Sequence, residues 1–521
     1  VRTFHLASFG CRASQADGSA LKLQLREAGF AEAADAAGSD IAVLNTCTVT
    51  ATADAEIRQI VRRIHRANPR CRILVTGCYA QRAPLEIAAL EGVAWVVGNS
   101  HKHQLAAILK SEAGESARTA EPCSDVGLRD GQAMAAPEGM ARVPGGQAPV
   151  GQVRVGEIGP EFHFAPAFPD DRTRPTLKVQ DGCDARCAFC IIPTVRGPSR
   201  SLPPDSVVAA VRDLDRRGFQ EVVLSGINLG SYGRDLNRSI NFFGLMERIL
   251  NETSIRRLRI SSIEPMDVSP ALIRLAAREK RIAEHFHVPL QSGSDRILRL
   301  MNRRYWTSQY VERILAVREE LPHAGIGADV MTGFPDETDQ DHRSSLELID
   351  RLPFTYLHVF PYSARPGTSA ADRAPQVQGR IAHERARALR ALIAGKRQAF
   401  LESQVGRTLS ALTLDGEPRV PAGAAHGPSY PSGAGVADAE VTAVEVTSDG
   451  VAGNEAAIPD ISSFDPSGSG PPSPSARSAL TSNYLPISLH GSGLAANILV
   501  DVQVGRVAEG TLHGFVAGSR Q

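Results

Sequence analysis

KVQDGCDARCAFCIIPTVRG (178–197) sets Cys183, Cys187 and Cys190 in a C-x3-C-x2-C spacing, directly after the β-type run TLKVQ (176–180). Three thiolates this close reach three corners of one [4Fe–4S] cube, and soft sulfur donors suit iron–sulfur clusters. Three ligands for four irons leave one iron open to something else. Zinc is the competing occupant, but a structural zinc site is closed by a fourth ligand, and no His or Cys follows nearby. Three buried core cysteines in a loop flanked by Gly and Pro are the remaining alternative. A loop beyond the C-terminal end of a barrel strand is where such folds carry their chemistry.

Working outward, five more strand-like runs follow the first: EVVLSG (221–226), RLRIS (257–261), HFHVPLQ (285–291), GIGADVMTG (325–333) and TYLHVFPY (355–362). Helical stretches such as DSVVAAVRDLDRRG (205–218) and DRILRLMNRR (295–304) separate them. Six βα units predict a partial (β/α)6 barrel over 169–401, not a closed eight-stranded one. Asn228, Glu264 and Gln291 stand where these strands end, among Gly-rich polar loops suited to a nucleoside. His287 and His358 lie within strands and read as core or barrel-layer residues.

Upstream, residues 1–112 alternate FHLASF (4–9), IAVLN (41–45), RILVTG (72–77) and VAWVVG (93–98) with helical patterns. These predict an α/β domain with a parallel sheet. Cys11, Cys47 and Cys78 each follow one of these strands, so a parallel sheet would gather them at one edge, where ligands collect. Three unrelated buried cysteines are the alternative reading. Cys71 precedes its strand and is set aside. Cys123 falls in 113–168, an Ala-, Gly- and Pro-rich linker expected to be disordered. Residues 402–521 predict a small β-domain from AEVTAVEV (439–446) and NILVDVQV (497–504), with a disordered insertion at 421–478.

The spacing around Cys183, with Phe189 before the last cysteine, resembles the radical S-adenosylmethionine superfamily. GCRASQADG (10–18), NTCTVT (45–50) and TGCYAQR (76–82) are similar to the N-terminal domain of the methylthiotransferases. That family pairs this domain with a radical S-adenosylmethionine barrel and a small C-terminal β-barrel called TRAM. The resemblance covers residues 1–110 and 170–400; the last 120 or so residues match poorly. It implies two [4Fe–4S] clusters, the auxiliary one on Cys11, Cys47 and Cys78. At the other, S-adenosylmethionine chelates the open iron and is split to a 5′-deoxyadenosyl radical. It also implies that Asn228, Glu264 and Gln291 line the S-adenosylmethionine pocket. One departure is Ser14, where the family usually has Asn three residues after the first cysteine.

The whole chain of 521 residues is 42% hydrophobic and 22% charged, with 57 basic and 57 acidic side chains. A neutral total excludes binding of nucleic acid through bulk positive charge but leaves local basic patches open. Two such patches fall on helices: Arg58, Arg62, Arg63 and Arg66, then Arg380 to Arg397. Eight cysteines are too few for a disulfide scaffold at this length. No apolar run reaches the ~20 residues a bilayer span needs, and the N-terminus reads as a strand, so the chain is expected in the cytoplasm, without membrane contact.

HVFPYSARPGTSA (358–370) and NTCTVTATAD (45–54) look most like the tRNA branch that acts on N6-threonylcarbamoyladenosine at position 37, in the anticodon loop. The resemblance thus implies tRNA as partner, with unidentified electron and sulfur donors. The branch acting on isopentenyladenosine is the runner-up, followed by the one acting on an Asp of a small-subunit ribosomal protein. A non-enzymatic iron–sulfur RNA-binding module is the reading from a different class; two triads, each leaving an iron open, argue against it. The tail, with 11 acidic and 5 basic side chains in 403–521, counts against RNA contact there.

Overall fold

The computed structural model describes residues 2–114, 151–162, 173–236, 240–415, 476–490 and 494–517. Strands β1 (Thr3–Ser8), β2 (Ala31–Glu32), β3 (Ile41–Thr46), β4 (Arg72–Gly77), β5 (Val93–Gly98) and β6 (Gln152–Arg154) form one parallel sheet. Its order is β2-β1-β3-β4-β5-β6. The central runs are apolar on both faces because both are covered. Leu44 and Val75 pack under Ile57 and Val61 of α2 (Ala51–Ala67), while Val43 and Leu74 pack with Leu21 and Leu25 of α1 (Arg12–Glu27).

Strand β6 corrects the expectation of a disordered linker over 113–168. It pairs with the free edge of β5, Trp95 opposite Gln152 and Val97 opposite Arg154. Three residues between glycines carry too little pattern to stand out in a Gly- and Pro-rich stretch. Residues 115–150, with Cys123, and 163–168 lie outside the described residues.

The barrel strands are β7 (Thr176–Lys178), β10 (Glu221–Ser225), β11 (Arg257–Ile260), β12 (His285–His287), β13 (Gly325–Thr332) and β14 (Tyr356–Pro361). A short antiparallel pair, β8 (Gln180–Asp181) and β9 (Arg200–Ser201), clips the base of the loop that carries Cys183, Cys187 and Cys190. Two parallel three-stranded sheets, β7-β10-β11 and β12-β13-β14, are joined by parallel bridges Leu258–Ile282 and Ser262–His287. Among the described residues no pairing returns β14 to β7, so the barrel is open as six βα units predict. Helix α1 lies against the β7 edge.

The long helix Gly379–Glu402 runs from the barrel into a closed five-stranded barrel. Its strands are β15 (Thr408–Thr413), β16 (Arg477–Thr481), β17 (Pro486–His490), β18 (Leu499–Ala508) and β19 (Thr511–Val516), in the order β15-β16-β17-β19-β18. The run 497–504 falls largely in β18. The bound of the expected insertion 421–478 is corrected at its end, because β16 starts at Arg477, and residues 416–475 lie outside the described residues. The run 439–446 lies outside the described residues. Among the described residues no helix is long and apolar enough to cross a membrane.

Candidate active site

Strands β1, β3 and β4 are direct neighbours whose carboxyl ends align, Ser8 beside Asn45 and Asn45 beside Thr76. Each is followed by a cysteine. Cys11 caps the start of α1, Cys47 follows β3, and Cys78 opens the helix Cys78–Arg82. Cys47 and Cys78 are 4% and 3% exposed, while Cys11 is open to solvent. Gly10, at a φ of +107°, lets the chain turn there; a Cβ on it would stand 2.7 Å from Cys47 Cβ. Burial pushes the Cys47 thiol up to about 12, with Cys78 and Cys11 adding to the effect. A buried thiol crowded by two others fits a set of soft donors for a metal centre, which would displace protons on binding. Cys71 sits at the other edge, beside Ser39 Oγ at 3.7 Å.

In the barrel, Cys183, Cys187 and Cys190 are all partly buried. Burial, then Cys187 and Cys183, pushes the Cys190 thiol up to about 12. Cys183 Sγ accepts from Ala185 N at 3.4 Å and from Asn228 Nδ2 at 3.9 Å. Cys187 Sγ accepts from Arg303 Nη1 at 3.2 Å, and Arg303 also pairs with Glu264. Burial raises the Glu264 pKa against the pull of Arg303. Asn228 and Glu264 thus border the second triad.

Gln291 stands on the same rim. Its N–H donates to Asp329 O at 2.8 Å, and its φ is +63°. A non-glycine residue held there is strained, a condition that clusters at ligand sites. The side-chain oxygens of Asn228 and Gln291 are buried with no protein partner. Orphaned acceptors at a strand-end rim fit a ligand that donates. The residues present therefore fit both groups the sequence implies, a thiolate-bound cluster and a nucleoside beside it.

What sequence reasoning missed is the link between the triads. The loop after Cys190 folds onto the N-terminal sheet, where Ile191 and Val195 pack on Cys78. Asn99 Nδ2 donates to Cys78 Sγ at 3.5 Å and to Val195 O at 2.6 Å. Arg196, 1% exposed, donates to Asp181 at 2.9 Å, Asp17 at 3.0 Å and Ser14 Oγ at 3.1 Å. Burial works against its charge, but Cys78, Asp181, Asp17 and Cys11 raise its pKa well above the usual value. Lys102 and Lys178 also pair with Asp17, and Lys178 and Arg200 with Asp181. Four buried cations thus face two buried carboxylates beside the thiols of the first triad. Buried positive charge beside these thiols favours their ionised form, the form that binds a soft metal centre. The Arg196 Nε has no protein partner. Its only sequence signal was an Arg six residues past the last cysteine of the C-x3-C-x2-C motif.

The basic patches divide. Arg62, Arg63 and Arg66 are exposed, whereas Arg58 is held by Tyr79 and Glu86, both at 2.8 Å. Arg385 is buried against Glu337 and Asp339, so the basic patch expected from Arg380 to Arg397 is corrected at that residue. Arg390 and Lys396 likewise bond backbone carbonyls, of Val359 and Asp350.

A family model described as "Uncharacterized protein family UPF0004" matches residues 3–98, and one described as "Radical SAM superfamily" matches residues 177–349. The second match implies a [4Fe–4S] cluster and S-adenosylmethionine. The chain is 36% identical to a protein named threonylcarbamoyladenosine tRNA methylthiotransferase MtaB from Aquifex aeolicus, covering 78% of this chain and 92% of that one. It is 36% identical to the protein of that name from Bacillus subtilis, covering 75% and 79%. It is 32% identical to a tRNA-2-methylthio-N(6)-dimethylallyladenosine synthase from Pelotomaculum thermopropionicum, covering 80% and 87%. Similarity of this extent, over most of both chains, places the protein as an enzyme of the radical S-adenosylmethionine methylthiotransferase family, in the branch of its MtaB relatives.

Proposed function

We propose that the enzyme methylthiolates tRNA, converting N6-threonylcarbamoyladenosine at position 37 to its 2-methylthio derivative. In this reading Cys183, Cys187 and Cys190 hold the radical cluster, and Cys11, Cys47 and Cys78 hold a second [4Fe–4S] cluster that handles sulfur. The observation that carries it is the shared wall between the two triads: one loop, 190–196, supplies a ligand to one and packs on a ligand of the other. When bound, the clusters and S-adenosylmethionine supply the radical, the sulfur and the methyl group.

The protein's own residues bind and orient. The adenine C2–H offers no acidic proton, so no side chain need act as its base, and none is assigned that role. Asn228 and Gln291 offer acceptors to S-adenosylmethionine, and Glu264, fixed by Arg303, offers a carboxylate. Arg62, Arg63 and Arg66 offer phosphate contacts to the anticodon arm. The electron and sulfur donors are further partners of unassigned identity. Access to tRNA and to reduced thiols fits a cytoplasmic enzyme.

Mass spectrometry of tRNA nucleosides from a strain lacking the gene tests the reading. The 2-methylthio derivative of N6-threonylcarbamoyladenosine should vanish, its precursor should accumulate, and the gene should restore it. Unchanged nucleosides, with loss of a methylthio group from a small-subunit ribosomal protein, would contradict it.

A further inference from the structure

The lumen of the open barrel holds a polar cluster that neither triad uses. Along β11 to β14 polar residues alternate with apolar ones, and the apolar set (Leu258, Phe286, Ala328, Val359) packs under the helices. The polar set meets across the strands inside. His287 Nε2 lies 3.1 Å from Asp329 Oδ1, and His358 Nδ1 lies 3.2 Å from the same oxygen. The Tyr356 hydroxyl lies 2.9 Å from His287 Nδ1 and 2.8 Å from His285 Nε2. Gly327 makes room for that ring, since a Cβ there would stand 2.0 Å from it.

Asp329 is held ionised: burial opposes its charge, but His287 and His358 lower its pKa far more. An ionised carboxylate only accepts, so it takes the His358 Nδ1–H, and the neutral form of that exposed ring then carries its acceptor on Nε2. Below this layer Tyr484, from the turn before β17, stacks on His285 with ring centres 4.3 Å apart. Arg12 Nη2 donates to the Tyr484 hydroxyl at 2.9 Å. Arg174, Arg257 and Arg259 converge on one carboxylate, Glu221, so with Arg12 the floor carries a surplus of positive charge.

The cluster is linked by contacts to both sites already described. Arg12 directly follows Cys11, and Asp329 O receives the Gln291 N–H. We propose that this part of the lumen binds the N6-substituent of the substrate adenosine and selects one that bears hydrogen-bonding groups and a negative charge. The proposal rests on the methylthiolation reading above and narrows it. A threonylcarbamoyl group brings N–H and O–H donors for His358 Nε2 and a carboxylate for the field of Arg12. An isopentenyl group would cover the same groups and satisfy none of them. Sites built to hydrogen-bond a substrate reject the analogue that lacks those groups, and two lost partners correspond to roughly 10²- to 10⁴-fold in kcat/KM.

The test uses the full-length protein with its clusters reconstituted and two tRNAs that differ only in threonylcarbamoyl or isopentenyl at the target adenosine. A peptide carrying the ribosomal-protein Asp is a third substrate. The wild type should prefer the threonylcarbamoyl tRNA by at least about 100-fold. His358→Leu and Arg12→Gln should each lower kcat/KM on it by about 10- to 100-fold, mainly through KM. His358→Gln, which keeps an acceptor, should recover much of that loss, and iron content reports whether each variant is intact. A wild type that uses the isopentenyl tRNA equally well overturns the subsite while methylthiolation stands. So does a His358→Leu variant with full iron and an unchanged preference. A wild type that modifies only the peptide, or none of the three, overturns the functional reading and the subsite together.

Discussion

Arg196 donates a hydrogen bond to Ser14 Oγ at 3.1 Å, and that hydroxyl stands 3.7 Å from Cys11 Sγ. A side chain from the loop after Cys190 thus reaches the immediate surroundings of the other triad, across 182 positions of sequence. Ser14, the departure from the family pattern, is where the two meet. Its hydroxyl accepts from the guanidinium while it stays in contact with Cys11 Sγ.

This contact predicts a redox effect. Arg196 brings a buried positive charge and an unused Nε–H to the auxiliary site. Arg196→Gln should lower the reduction potential of the cluster proposed there. A hydrogen bond to a charged group, about 1.5–3 kcal/mol, corresponds to roughly 60–130 mV for one electron. Potentiometric titration followed by electron paramagnetic resonance, in protein whose radical triad is replaced by Ala, isolates this cluster. An unchanged potential would remove Arg196 from the account.

Iron content separates the sites. Replacing Cys183, Cys187 and Cys190 together by Ala should leave about four of about eight irons, since each triad is read as holding one [4Fe–4S] cluster, and abolish S-adenosylmethionine cleavage. Iron analysis with Mössbauer spectroscopy reads this directly. Retention of the full complement would mean that the loop is not a cluster site.

The orphaned oxygens of Asn228 and Gln291 predict S-adenosylmethionine contacts. Asn228→Ala and Gln291→Ala should each weaken its binding by about 2- to 12-fold, the loss of one hydrogen bond of roughly 0.5–1.5 kcal/mol. Equilibrium binding on the reconstituted protein measures it. Wild-type affinity in both variants would place the nucleoside elsewhere.

Arg62, Arg63 and Arg66 remain open to phosphate. Reversing all three to Glu should weaken tRNA binding and flatten its dependence on salt, by about one unit of slope per lost contact. Binding titrations over a range of salt concentrations supply the slope. An unaltered slope would move the tRNA to another face.

The frame was legible because each step used a local signal. Apolar runs stopped by Gly or Asn gave the strands, and the cysteine after each run followed the sheet edge. The coupling between the triads was not legible, because nothing in TVRG (194–197) shows that Arg196 enters a network with Asp17, 179 positions away. The lumen was half legible. RLRI (257–260) and HFHV (285–288) alternate charged and apolar residues with a period of two. In a barrel whose outer face is covered by helices, that pattern places the polar set inside. Arg385 shows the reverse failure, since a basic helix face in sequence does not reveal that one of its members is buried against Glu337.

The central claim is that product requires both triads while the radical chemistry requires one. The measurement is a paired assay of 5′-deoxyadenosine and methylthiolated nucleoside, on N6-threonylcarbamoyladenosine-bearing tRNA, with Cys11, Cys47 and Cys78 replaced by Ala. The account predicts that 5′-deoxyadenosine still forms and that no methylthiolated product appears. Product at the wild-type yield from that variant would contradict it.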